Sequence, residues 1–227
     1  MTRTLEQWLA YQQQVHPRDI AMGLDRVGEV ARRLGLGRPG RHVAIVAGTN
    51  GKGSTVAFIE AMARAAGLRV GAFTSPHLLR YNERIRIDGG DAGDAELVAA
   101  FERIEAARGG IALTYFEFGT LAALCLFEAA ALDLAILEVG LGGRLDAVNI
   151  IDADVAVITT VDLDHQDYLG DDRESIGFEK AGILRAGKPC VLAEKDPPSS
   201  VLRHAYAIGA FAIRGYSDYL IDDLDAG

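Results

Sequence analysis

The chain has 227 residues, with 23 Lys and Arg against 32 Asp and Glu, a formal net charge of −9. That length suits one large domain, or a domain with a partial second one. A content of 49% hydrophobic and 24% charged residues is a globular balance that excludes a disordered tail, and the acidic charge argues against a nucleic-acid partner, which would call for a basic stripe.

In chain order, residues 4–15 and 19–34 read as helices, the second from the spacing of Leu24, Val27, Val30, Ala31 and Leu34. Gly35 to Gly40 is a breaker-rich loop. His42–Ala47 is a β-branched run, hence a buried strand. A glycine-rich loop, Gly48–Gly53, leads to a helix over 54–66. Residues 69–74 form a second strand. The alternation Arg84, Ile85, Arg86, Ile87 predicts a half-exposed strand over 81–88. Helices follow over 94–107 and 117–132, then a central strand over 134–137 and another over 155–160. Residues 174–185 read as helix, 190–193 as strand, 199–209 as helix and 211–213 as a last strand. The tail 216–225 alternates like a strand that has lost its neighbour. Strands alternating with helices predict an α/β fold with a mostly parallel sheet, whose ligands sit outside the carboxyl ends of the strands.

The start, Met1 to Glu6, has no apolar core of a signal peptide. Charges interrupt every apolar stretch before about 18 residues, so no transmembrane helix is expected. Cys125 and Cys190 lie far apart in apolar surroundings, without metal-ligand spacing, and read as buried reduced thiols. A reducing, cytoplasmic setting follows.

Gly48-Thr49-Asn50-Gly51-Lys52-Gly53-Ser54 lies between a strand and a helix, the context that a phosphate-binding loop requires. Small residues let backbone N–H groups approach an anion, and the helix N-terminus adds partial positive charge. Lys52 would bridge the terminal phosphates. The loop departs from the common pattern: Val46 replaces the first glycine, and Gly53 follows the lysine where a Mg²⁺-binding hydroxyl is usual. Mg²⁺ takes oxygen ligands beside phosphates. Glu138 ends one strand, Ser75 follows another and His165 follows a third, so a parallel sheet would gather all three at one edge. By composition alone a histidine is an unusual Mg²⁺ ligand, and His165 also reads as a hydrogen-bonded turn residue. On spacing alone, Lys180 is a solvated helix lysine. Tyr115 and Phe116 offer flat faces for stacking, or core packing at a helix start.

Seven ordered motifs resemble the folate branch of the Mur ligase superfamily, the bifunctional dihydrofolate synthase/folylpolyglutamate synthase family. They are Gly48–Ser54, Thr74–Leu78, Tyr81–Ile85, Thr114–Glu117, Glu138–Ala147, Leu163–His165 and Glu179–Ile183. Val148, and Gly177-Phe178, depart from the family's usual residues. The resemblance implies a P-loop-type, mostly parallel sheet flanked by helices, the Mur ligase central ATPase domain. It implies that Thr49, Asn50, Gly51, Lys52, Gly53 and Ser54 bind ATP, that Ser75, Glu138 and His165 hold Mg²⁺, and that Lys180 matches a family lysine carbamylated on its side chain. Lys52, Lys180 and His165 form the implied catalytic set. Leu24, Asp25, Arg26, Thr114, Tyr115, Phe116, Glu117, Leu145, Asp146 and Ala147 would contact the pterin-bearing substrate.

The implied activity is ATP-dependent addition of L-glutamate to dihydropteroate and to reduced folates through an acyl phosphate. The resemblance further implies a monomer with small-molecule substrates, no nucleic acid and no membrane. It also implies that 1–227 is an N-terminal ATP-binding domain truncated before its end, without the C-terminal glutamate-ligase domain, and catalytically weak or silent alone. Two other readings are a cell-wall Mur ligase relative and an isolated nucleotide-binding module without turnover. A kinase is disfavoured, because Gly53 breaks the lysine–hydroxyl step.

Overall fold

Alternating side chains on the strand His42–Ala47 (β1) face two different cores. Val43, Ile45 and Ala47 enter the larger one, and Ala44 and Val46 the smaller. The computed structural model describes residues 3–18 and 20–220. Within them, β1 sits inside an eight-stranded sheet of order β4-β3-β2-β5-β1-β6-β7-β8. The other strands are β2 (Val70–Phe73), β3 (Ile85–Ile87), β4 (Gly90–Asp91), β5 (Leu134–Glu138), β6 (Val155–Ile158), β7 (Pro189–Leu192) and β8 (Phe211–Arg214). β2, β5, β1, β6, β7 and β8 are parallel, while β3 and β4 join antiparallel at one edge.

One face is covered by α1 (Leu5–Val15), α2 (Asp25–Leu34), α4 (Asp94–Arg108), α5 (Tyr115–Ala130), α7 (Arg173–Ala181) and α8 (Ser199–Ile208), all of which send side chains into the larger core. Phe101, Phe118 and Phe127 are fully buried there, each contributing roughly 1.5–3 kcal/mol by area. The other face is covered by α3 (Lys52–Ala65), whose Val56, Ile59 and Ala63 meet Val46, Ala72 and Ile136. Helix starts are written locally. Thr114 and Glu117 form a capping box on α5, with Glu117 Oε2 accepting from the Thr114 N–H at 2.7 Å and Thr114 Oγ1 accepting from the Glu117 N–H at 3.2 Å. Asp172 Oδ1 accepts from the Ser175 N–H at 2.7 Å at the start of α7.

The alternation of strand and helix stands as expected, and Cys125 and Cys190 are both free and buried. No helix of the described residues is long and apolar enough to cross a membrane. Several segments differ from expectation, among them the unanticipated β4 and the 3₁₀ turn Ala147–Ile150, and the helix expected over 174–185, which ends at Ala181. The 81–88 segment is a 3₁₀ turn, Tyr81–Arg84, and only then a strand. Asn82 donates from Nδ2 to the Ala92 carbonyl at 2.7 Å and to Asp94 at 2.8 Å, which curls this stretch before pairing with β2 begins. The helix expected from 19 starts at Asp25, and residue 19 lies outside the described residues. A four-residue helix, Gln166–Leu169 (α6), was not anticipated. In the tail, Gly215 bridges Tyr219 in a turn after β8, and 221–225 lie outside the described residues.

Candidate active site

The carboxyl ends of β1, β2, β5 and β6 converge where the chain order reverses, since β5 and β6 flank β1 on opposite sides. Such a switch point leaves a crevice. The loop after β1 is pinned to the end of β6. The Thr49 N–H donates to the Thr160 carbonyl at 2.8 Å, the Asn50 N–H donates to Thr160 Oγ1 at 3.0 Å, and Thr159 Oγ1 donates to the Asn50 carbonyl at 2.6 Å. Gly48 makes this approach possible. Its φ is +154°, and a Cβ there would lie 1.8 Å from Thr159 Oγ1. Gly51 precedes α3, and Lys52 opens it. The Lys52 ammonium donates to the carbonyls of Gly48 and Thr49 at 2.9 and 3.2 Å, which holds the cation over the loop. Ser54 is exposed on the first turn.

Glu138 ends β5 with only 3% exposure. Its Oε2 accepts from the Ser75 N–H at 3.0 Å, and a Cβ at Gly53 would lie 3.8 Å from its Oε1, so the glycine-rich loop and the carboxylate adjoin. Burial pushes the Glu138 carboxyl up, while Lys52, Arg86 and Arg84 pull it down. Ser75 and His165 line the same cavity as Lys52. His165 has a left-handed backbone, φ +48°, just before α6. Among the described residues no three His, Cys, Asp or Glu side chains converge on a metal position. The Glu138 carboxylate and the Ser75 hydroxyl are oxygen donors of the kind Mg²⁺ takes, and Mg²⁺ keeps waters and phosphate oxygens instead of demanding a protein cage.

The cavity has a volume of about 360 Å³. Thr114, Phe116, Glu117, Leu145, Asp146 and Ala147 line it together with Lys52. Phe116 packs against Phe73 with centroids 5.7 Å apart, and a Cβ on Gly140 would come within 2.7 Å of its ring, so glycine is required opposite it. Asp146 is 4% exposed and accepts from the N–H groups of Leu141 at 2.8 Å and Val148 at 3.1 Å. Burial nevertheless pushes its carboxyl up to about 7.

Tyr115 turns instead to a neighbouring cavity beside α1, edge-on to Tyr81 at 5.6 Å. Leu24 precedes α2, Asp25 and Arg26 open it, and the cavity wall is the preceding Ile20–Gly23. Arg26 holds that wall, donating to the Ala21 carbonyl at 2.7 Å and to Glu117 at 3.1 Å. Lys180 departs from its spacing-based reading as a solvated lysine. It is 3% exposed, and burial, helped by Lys52, lowers its pKa to about 8. Sequence reasoning also missed Arg84, which lines the cavity. It lies in the Tyr81–Ile85 motif, whose alternation reads as a half-exposed strand.

The chain matches the model of the Mur ligase middle domain over residues 46–210. It is 54% identical over 210 residues to the dihydrofolate synthase/folylpolyglutamate synthase of Escherichia coli, covering 92% of this chain and 50% of that one. An Escherichia coli FolC structure in complex with DHPP and ADP superposes with a TM-score of 0.95 at 52% identity, covering 97% of this chain and 54% of the other. A bifunctional folylpolyglutamate synthase/dihydrofolate synthase with Mn, AMPPNP and L-glutamate bound gives a TM-score of 0.90 at 56% identity, covering 95% and 52%. The chain spans about half the length of the curated relatives it matches. On this fold and these matches, the chain belongs to the Mur ligases, in the dihydrofolate synthase/folylpolyglutamate synthase branch.

Proposed function

We propose that this chain binds ATP and a pterin-bearing carboxylic acid, dihydropteroate or a reduced folate, in one cavity, and carries the carboxylate-activating chemistry of an ATP-dependent glutamate ligase. The observation that carries this reading is the juxtaposition of Lys52, Ser75 and His165 with Phe116 and Asp146 around one cavity, with Glu138 at its phosphate end. The ligands in the two solved relatives support it: DHPP and ADP in one, Mn, AMPPNP and L-glutamate in the other.

A carboxylate is a poor electrophile, because its oxygen is a bad leaving group. Transfer of the ATP γ-phosphoryl to it makes an acyl phosphate. The amino group of glutamate then attacks, and phosphate departs as the amide forms. The protein's part is positioning and charge. Lys52 and the backbone N–H groups of Gly51 to Ser54 would neutralise and align the phosphates. Ser75, Glu138 and His165 would hold Mg²⁺, which when bound offsets phosphate charge. Phe116 offers a flat face to the pterin, and Asp146 a hydrogen-bonding carboxyl whose protonation sits near neutrality. Burial lowers the Lys180 pKa to about 8, which raises the share of neutral amine that carbamylation requires. We further propose that 1–227 acts as an ATP-binding unit and works as a monomer in the cytoplasm.

ATP consumption by the purified chain with Mg²⁺, dihydropteroate and glutamate tests this reading. Weak phosphate release that rises when dihydropteroate is added is the expected result. Saturable ATP binding with no effect of either substrate would reduce the chain to a bare nucleotide-binding module.

A further inference from the structure

The cavity contains a guanidinium that the residue roles above leave unused. Arg84 ends the 3₁₀ turn before β3, and its carbonyl accepts from the Thr74 N–H at 2.8 Å, which sets it beside Ser75. Its Nε donates to His77 Nδ1 at 2.8 Å. Its guanidinium carbon lies 5.5 Å from the ring centroids of both Tyr81 and Tyr115. Two aromatic faces and one imidazole therefore fix the plane of this side chain. Among the described residues, no carboxylate pairs with it, and its two terminal nitrogens donate to no protein acceptor.

The neighbouring arginines are committed elsewhere. Arg86 is bound by Glu60 at 2.7 Å, by Thr74 Oγ1 at 3.1 Å and by the Glu83 carbonyl at 3.1 Å. Arg26 is bound by Glu117 and the Ala21 carbonyl. Arg84 alone of these three faces the cavity with its fork unpaired. It shares the lining of that cavity with Lys52, Ser75 and Phe116. A preorganised planar fork without a counter-ion is built for a bidentate oxyanion.

We propose that Arg84 anchors the carboxylate of the pterin-bearing acid, holding it toward the phosphate loop, and so selects a free acid over a neutral analogue. This rests on the ligase reading above. It makes Arg84 a substrate-binding residue and His77 the group that orients it.

The test is direct binding of pteroic acid and of its carboxamide to the 227-residue chain, with nucleotide affinity measured in parallel. Wild type is expected to prefer the acid. Arg84→Ala is expected to weaken acid binding about 30-fold while changing carboxamide and nucleotide binding less than about twofold. Arg84→Gln, which keeps a flat side chain over the two tyrosines, should show the same selective loss, and Arg84→Lys a smaller one. Unchanged acid affinity in Arg84→Gln would overturn the proposal. So would equal losses for acid and carboxamide, which would mark a role confined to holding the tyrosines. A wild-type chain that binds neither compound would overturn the ligase reading and the anchor with it; a wild type that binds both equally would overturn the anchor alone.

Discussion

Asp146 shows how one side chain can carry both a local structure and a pH response. It caps the 3₁₀ turn Ala147–Ile150 through the Val148 N–H, yet burial pushes its carboxyl up to about 7. Between the ordinary carboxylate value of about 4 and 7, the folded protein keeps a proton that the unfolded chain has released. Stability from this group is therefore complete below about pH 4 and is lost as pH rises toward 7, by up to about 4 kcal/mol. Asp146→Asn should flatten the fall in unfolding free energy across that window, read by urea titration at several pH values. Identical pH slopes in mutant and wild type would remove Asp146 as the source. Lys180 is the reverse case in charge, since its burial favours the neutral amine. Neither environment could be read from spacing. Both depend on which loops close over the side chain, and the sequence pattern around Lys180 was that of an exposed helix face.

At the scale of elements, β1, its loop and α3 were the most legible part of the chain. The β-branched run, the small residues and the lysine each restrict the backbone in the same direction, so local signals agree. The price of that tight loop is set at Gly48. A side chain there meets Thr159 and must also adopt an unfavourable φ. Gly48→Ala should cost about 2–4 kcal/mol of stability and abolish nucleotide binding, as measured by urea unfolding and by titration with an ATP analogue. A variant with wild-type midpoint and affinity would contradict the pinned-loop geometry. The start of α5 was nearly as plain, with Thr114 and Glu117 three residues apart. By contrast, residues 20–24 and 81–84 gave misleading signals. Their conformations are fixed by hydrogen bonds to other segments, Gly23 to Leu145 and Asn82 to Ala92 among them, and apolar periodicity does not record such bonds.

For the whole molecule, topology does what no single motif does. Placing β1 between β5 and β6 brings Lys52, Glu138 and the end of β6 to one sheet edge, although they are far apart in sequence. The alternation of strands and helices made that convergence predictable in kind. It did not reveal that Arg84 would share the crevice, because β3 joins antiparallel at the sheet's edge and its approach depends on pairing with β2. The cores are unequal: α3 covers its face of the sheet, and Phe211 and Ile213 of β8 remain exposed. The measurement that bears most directly on the account is the affinity of the chain for an ATP analogue with Mg²⁺, in wild type and in Lys52→Ala. Saturable binding by wild type and a loss of about 100-fold or more in the variant, with an unchanged unfolding midpoint, is the predicted result. Equal affinity in the two proteins would contradict the assignment of Gly48–Ser54 as the phosphate loop, and with it the ligase reading.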